Sequence, residues 1–314
     1  MADIVITEFM DAGIAERMVR EHGALYDPTL VDRPDDMLHE ASQAKALIVR
    51  NRSRVTAELL DACPNLAVVG RLGVGLERID LEACAARNVP VFPARGANAV
   101  AVAEYAIASV MMLRRRCFQV GDAMLAGEWP REQLNGCEVA GSSLGVLGFG
   151  DIGRHVARRA TALGMTVLAC DPYVHPDHPS WRELRAERVS FADLMSRSDA
   201  ITAHVPLTDE TRNIIDAAAL VQMASHAVVV NSSRGGVVDE AALADALREG
   251  RIGGAALDVF TEEPLSAAGA VKFQGVPNLV LTPHIAGVTQ EANLWTSVMI
   301  VNAILETLGR APFE

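Results

Sequence analysis

Six short runs in the later part of the chain, LGVLG, TVLAC, AITAHV, AVVVN, AALDV and LVLTP, lack the polar alternation of a half-exposed strand and are separated by helical or loop segments. Such runs, joined by crossovers, demand a parallel sheet covered on both faces. The first part repeats the pattern on a smaller scale: DIVIT, KALIV, LAVVG and VPVF alternate with helical stretches such as RPDDMLHEASQA and TAELLDAC. Between the two series a helical pattern runs from about Asn98 to Ala126, and LNGCEVAGSS ends it. After the last run, TQEANLWTSVMIVNAILETL is one more amphipathic helix, too short for a domain and expected to return to the first. A chain of 314 residues is long for one core, so the reading is α/β with two doubly wound parallel-sheet domains.

Charge and composition exclude several classes of partner. With 28 basic against 40 acidic residues the net charge is -12, which repels phosphate backbones and argues against nucleic acid. An anionic ligand must therefore be held by local arginines. The start, MADIVITEF, has no basic region before an apolar stretch and is not a signal peptide. The longest apolar region, ANAVAVAEYAIASVMML, is interrupted by Glu104 and falls short of the roughly 20 residues a bilayer span requires. Five scattered cysteines without CxxC spacing read as thiols in a reducing cytoplasm. His175 and His178 have HxxH spacing, but no cysteine or carboxylate cluster completes a metal site, so none is expected.

In LGVLGFGDIGR the glycines Gly148, Gly150 and Gly153 form GxGxxG between an apolar run and the helical pattern IGRHVARRATAL, and Asp171 ends the next run about 18 residues on. That context makes a dinucleotide-binding turn of an otherwise weak motif. The first glycine permits the tight turn, the second lets a pyrophosphate approach, and the third lets helix and strand pack closely. The phosphate would sit on the free N–H groups of the helix start. Asp171 would accept from the ribose hydroxyls and repel a 2′-phosphate, so the expected cofactor is NAD rather than NADP.

Three consecutive runs end in polar residues with chemistry: AVVVNSSR in Arg234, AALDVFTEE in Glu263 and LVLTPH in His284. In a doubly wound sheet ligands bind outside the carboxyl ends of the strands, so all three face one edge. Oxidising a secondary alcohol needs a base for the hydroxyl proton as hydride leaves, and imidazole titrates near neutrality, so His284 takes that role. A carboxylate on the other ring nitrogen fixes the tautomer and raises the pKa, which is the role of Glu263. Arg234 can clamp a substrate carboxylate or polarise its carbonyl oxygen.

These stretches resemble the D-isomer-specific 2-hydroxyacid dehydrogenase family, which includes D-3-phosphoglycerate dehydrogenase. The matching segments are GRLGVGLERID, NAVAVAEYAI, LGVLGFGDIGR, HVPLTDETRNII, NSSRGGVVDEAALADALREGRIGGAALDVFTEEP and LTPHIAG. The resemblance implies a Rossmann cofactor domain, about 98–285, inserted into a flavodoxin-like substrate domain of 1–97 and 286–314, with the active site in the cleft between them. It places the family's Arg, Glu and His on Arg234, Glu263 and His284, and its nicotinamide-amide ligand on Asp258. It further implies cofactor contacts at Asp151, Ile152, His204, Val205, Pro206, Thr211, Ser232, Ser233, His284 and Gly287, besides the glycines and Asp171. The helix from Asn98 resembles the segment through which such enzymes form homodimers.

On the substrate side, Leu72, Gly73, Val74 and Gly75 match a loop whose N–H groups hold the substrate carboxylate, and Arg52 and Ser53 match a phosphate-contacting position of phosphoglycerate enzymes. Arg50, Arg54 and Arg71 cluster nearby, which suggests a second negative group on the substrate. The chain ends at Glu314 without the regulatory domain many phosphoglycerate dehydrogenases carry. That shifts the expectation to a sulfonated analogue, 3-sulfolactate, with phosphoglycerate, glyoxylate or hydroxypyruvate as alternatives. Formate dehydrogenase relatives put glutamine where Glu263 stands. A NAD-sensing corepressor-like binding module is the alternative of another class, to be told apart by partner capture with negligible turnover.

Overall fold

The computed structural model describes residues 2–118 and 120–313, which divide into two compact units, one of residues up to 98 together with those from 288 onward, the other of 99–287. In the first unit β1 (Ile4–Ile6), β2 (Leu25–Tyr26), β3 (Ala46–Val49), β4 (Val68–Arg71) and β5 (Val91–Pro93) form a parallel sheet in the order β2-β1-β3-β4-β5. That is the flavodoxin-like order. Alternate residues go to opposite faces. Ile4, Ile6, Ala46, Ile48 and Val68 pack with Ile300, Val301, Ile304 and Leu305 of the helix Gln290–Thr307, whereas Val5, Leu47, Val49 and Val69 pack with Leu59, Leu60 and Cys84. Both faces are apolar because both are covered, and each such side chain contributes about 1.5–3 kcal/mol by leaving water.

The second unit is a larger sheet of the same kind. Its strands are β6 (Ser143–Leu147), β7 (Thr166–Cys170), β8 (Ala186–Arg188), β9 (Ala200–Ala203), β10 (Val228–Asn231), β11 (Gly254–Leu257) and β12 (Leu279–Leu281), in the order β12-β11-β10-β9-β6-β7-β8. Every pairing among the described strands is parallel. Counted from β6, this is the doubly wound dinucleotide order with one strand added, and its topological switch point lies between β6 and β9. The register leaves the carboxyl ends of β9 to β12 level, with Asn231 opposite Ala203 and Leu257, and Leu257 opposite Leu281. Loops leaving these four strands therefore start side by side.

The helix that leads into this sheet differs from its pattern. It spans Ala99–Arg115 rather than continuing to Ala126, with a separate short helix at Gly121–Leu125. Arg116 turns into the left-handed region, and the Cys137 N–H caps the Arg114 carbonyl. In the longer helix the apolar stripe of Ala103, Ala106, Ile107, Val110 and Leu113 packs under the sheet beside Val146, Val156 and Val230. Burial within the unit consumes most of that stripe. The edge strands β2 and β8 escape the sequence pattern because they are two and three residues long and incompletely buried. No helix among the described residues is long and apolar enough to cross a membrane.

Candidate active site

The glycine turn sits at the switch point, between β6 and the helix Asp151–Ala162. Gly148 has φ +92°, and a Cβ there would lie 2.8 Å from the His204 carbonyl oxygen; a Cβ on Gly153 would lie 2.2 Å from the Gly148 oxygen. Both positions therefore exclude any side chain. A Cβ on Gly150 would meet nothing within 4 Å, so the space over this residue is open. Gly150 caps the helix without a side-chain bond, so the first N–H groups of the helix, those of Asp151 and Ile152, have no partner within it. A dinucleotide pyrophosphate fits such a turn, since it needs open room and helix-start donors together. Asp171 ties the turn to β7: its carboxylate accepts from the Phe149 N–H at 2.7 Å and the Tyr173 N–H at 2.9 Å, and each oxygen keeps a lone pair for a further donor.

On the other side of the switch point, His204 is held as a neutral ring. Its half-buried ring pairs through Nε2 with the Thr202 hydroxyl at 2.9 Å, and burial pushes its pKa down to about 3. The residue contributes backbone, packed with Val205 against Gly148. Thr211 closes the following loop by donating to the Pro206 carbonyl at 2.6 Å and accepting from the Thr208 N–H at 2.7 Å.

The three strand-end residues converge. His284 Nδ1 lies 2.7 Å from Glu263 Oε2, and the other carboxylate oxygen accepts from the Phe260 N–H at 2.9 Å. The hydrogen bond that His284 donates to Glu263 holds the imidazole pKa above the ordinary histidine value, outweighing burial, with Asp258 adding to the rise and Arg234 opposing it. Burial raises the Glu263 pKa, but the bonds from His284 and Phe260 N–H and the nearby Arg234 charge turn the net shift downward. The pair is thus a carboxylate holding an imidazole by one nitrogen, with about half the imidazole surface open to solvent. His284 has φ +54°, a conformation that costs a non-glycine residue about 1–2 kcal/mol. Such strain persists where surroundings over-determine it, and the marks of a working site are of this kind.

Asp258 supplies much of that surrounding. It is fully buried, and its oxygens accept from Thr282 Oγ1 at 2.5 Å and from the N–H groups of Ile285 and Ala286 at 2.8 Å each. Because Thr282 gives its one hydrogen to Asp258, the Tyr105 hydroxyl, 2.7 Å away, must donate to Thr282. The His284 N–H itself donates to the Asp258 carbonyl at 2.8 Å. Asp258 thus clamps the loop on both sides of His284, where the resemblance implied only a contact to the nicotinamide amide.

Arg234 is set by a residue that sequence reasoning passed over. The Asn231 side chain accepts from the Ser233 N–H and hydroxyl, at 3.1 and 2.8 Å, and donates to the Arg234 carbonyl at 3.0 Å, while Arg234 Nη1 donates to the Ser233 carbonyl at 2.7 Å. Asn at a strand end before Ser-Ser is a turn signal that could have flagged it. The Ser232 hydroxyl is buried without a hydrogen-bond partner among the described residues. An orphaned donor beside the strand edge is a further group for a ligand to satisfy.

In the first unit, the predicted substrate residues have local commitments. The Leu72 N–H goes to the Val49 carbonyl and the Gly73 N–H to that of Arg71; those of Val74 and Gly75 have no hydrogen bond among the described residues. Arg50 donates to the Phe9 carbonyl at 2.9 Å and to Asn293 at 3.0 Å, and Arg52 pairs with Asp32 at the surface. The N–H groups of Arg50, Asn51, Arg52 and Ser53 all point at the buried carboxylate of Glu8, at 2.8 to 3.2 Å, and the Ser53 hydroxyl meets Thr7. The backbone here already serves an internal anion.

Residues 107–286 match the family model described as D-isomer specific 2-hydroxyacid dehydrogenase, NAD binding domain. The chain is 47% identical over 310 residues to an (S)-sulfolactate dehydrogenase of Chromohalobacter salexigens, covering 98% of this chain and 99% of that one. It is 38% identical over 278 residues to a D-3-phosphoglycerate dehydrogenase of Archaeoglobus fulgidus, covering 88% of this chain but 52% of the relative, so it spans about half of that protein's length. A D-lactate dehydrogenase from Aquifex aeolicus, solved with NAD and lactic acid, superposes with a TM-score of 0.82 at 26% identity, covering 98% and 95% of the two chains. The chain belongs to the D-isomer specific 2-hydroxyacid dehydrogenase family and is an oxidoreductase that uses NAD.

Proposed function

We propose that this dehydrogenase interconverts a dianionic 2-hydroxy acid and its 2-oxo acid, with 3-sulfolactate and 3-sulfopyruvate as the pair. The observation that carries this reading is the 47% identity, over nearly the whole of both chains, to a sulfolactate dehydrogenase. NAD, when bound, supplies the hydride acceptor. His284 takes the hydroxyl proton through Nε2 as the alcohol is oxidised and returns it in reduction, and Glu263 keeps the proton on Nδ1 and steadies the imidazolium. Arg234 holds the carboxylate or carbonyl oxygen and stays charged throughout. Asp151, Ile152 and the glycines receive the pyrophosphate, Asp171 the ribose hydroxyls, and Ser232, Ser233, Thr211, Asp258, Gly287 and the segment His204 to Pro206 line the cofactor.

Of the 72–75 loop, the N–H groups of Val74 and Gly75 are assigned to the substrate carboxylate, since those of Leu72 and Gly73 are taken by the Val49 and Arg71 carbonyls. Arg52 is the candidate for its second anion, whereas Ser53 is buried with its N–H on Glu8 and its hydroxyl on Thr7. The surface pairing of Arg52 with Asp32 is of the solvent-exposed kind that an anionic ligand can replace. The partner is a second copy of the chain, and the five cysteines, none in a disulfide, fit a reducing cytoplasm. The test is NADH formation with a panel of 2-hydroxy acids: sulfolactate and phosphoglycerate against lactate and glycerate. A preference of about tenfold or more in kcat/KM for sulfolactate is expected. Preference for lactate or glycerate would refute the dianion reading and make Arg52 a surface charge.

A further inference from the structure

Glu240 is a buried carboxylate that the chemistry above does not use. It is the first residue of the helix Glu240–Arg248 and is only 6% exposed. One oxygen accepts from the Thr261 N–H at 2.6 Å and the Thr261 hydroxyl at 2.9 Å; the other accepts from Lys272 Nζ at 2.5 Å. Burying a carboxylate is costly unless it is paired and hydrogen-bonded, and here every bond but the lysine's goes to one residue of one turn. That turn carries Glu263. The N–H of Phe260 goes to Glu263 and the next N–H, of Thr261, to Glu240, so two carboxylates grip successive peptide groups. Gly235 closes the arrangement: a Cβ on it would lie 1.8 Å from the Phe260 carbonyl oxygen, so the turn after Arg234 rests directly on the same peptide.

We propose that Glu240, charge-balanced by Lys272, is a positioning residue that locks the 260–263 turn and so fixes Glu263 against His284 and against the Arg234 turn. The inference rests on His284 being the proton-transfer group. It acts through Glu263, which reaches His284 directly; Asp258 and Arg234 are the other charges bearing on the imidazole, and a substitution at Glu240 removes neither.

The test uses the full chain with Glu240→Ala and Glu240→Gln, measuring the pH dependence of kcat/KM, NADH affinity by fluorescence and thermal unfolding, with His284→Ala alongside. Loosening Glu263 lets the His284 pKa fall, so the limb set by histidine ionisation moves to lower pH by about half a unit or more in the alanine variant, and kcat falls about tenfold. The glutamine variant keeps an acceptor for Thr261 but no charge, and moves the same way by less. NADH affinity stays within about twofold, because the glycine turn is untouched. A limb at the wild-type position in a folded alanine variant overturns the inference, even if the melting temperature drops, since a purely structural role lowers stability without moving the limb. Should the alanine variant not fold, an unmoved limb in the glutamine variant overturns it. Undiminished turnover in His284→Ala would instead sink the proton-transfer reading on which it rests.

Discussion

At the scale of single residues, the strained backbone of His284 and its 2.7 Å bond to Glu263 describe an imidazole whose proton affinity one partner raises most. Glu263→Gln removes the charge that raises the His284 pKa. Alcohol oxidation needs the neutral ring, so its rate falls as pH drops through that pKa; the variant moves this limb to lower pH by about one unit. In the reductive direction the protonated ring is needed, and the loss of rate with rising pH begins earlier. Turnover should fall by about 10²-fold, within the usual range for a general acid–base partner. Unmoved profiles in both directions would show that the two groups are not coupled. Arg234, Glu263 and His284 were legible because each follows an apolar run and strand ends make sites. Asn231 and Glu240 were not, because their meaning lies in partners: Asn231 in the shape of its own turn, Glu240 in a peptide 21 residues away.

At the scale of elements, the ends of β1 and β3 are joined by Glu8, whose carboxylate takes four successive N–H groups of residues 50–53. Burial raises its pKa, but these bonds outweigh burial and leave it below the ordinary glutamate value. A depressed acid contributes stability that is present above its unfolded pKa and lost as pH falls through its lower folded one. Glu8→Gln, which puts an amide donor against N–H groups, should therefore cost about 1.5–3 kcal/mol near neutral pH, with the gap to wild type closing in acid. Urea unfolding at both pH values checks this; an equal deficit at both would deny the ionised carboxylate its role. The arginines of this loop illustrate the limit of sequence reading. VRNRSRV shows clustered charge, but only the fold reveals that Arg50 is spent on Phe9 and Asn293 and that the backbone already holds an anion.

At the scale of the whole molecule, the helix Ala99–Arg115 buries its stripe in its own unit, and the apolar surface left for a second copy lies after it. Leu125 is 90% exposed and Trp129 75%, with Phe118 and Met124 nearby in sequence. Light scattering should give twice the 33.5 kDa chain mass for the wild type and a single-chain mass for Leu125→Asp combined with Trp129→Ala at micromolar concentration. A single-chain mass for the wild type removes the proposed dimer. The sequence alone determined the architecture class, the cofactor turn and the three strand-end residues. Each rests on local chemistry, namely apolar runs that need two covered faces, glycines where no side chain fits, and polar residues at the carboxyl ends of strands. Only the tertiary structure decided that Asp258 clamps the His284 loop, that Glu8 occupies the 50–53 nest and that Glu240 grips the Glu263 turn. Such roles depend on which buried acceptor meets which N–H across a long sequence separation, and packing sets those pairings because an unpaired buried charge is too costly to leave.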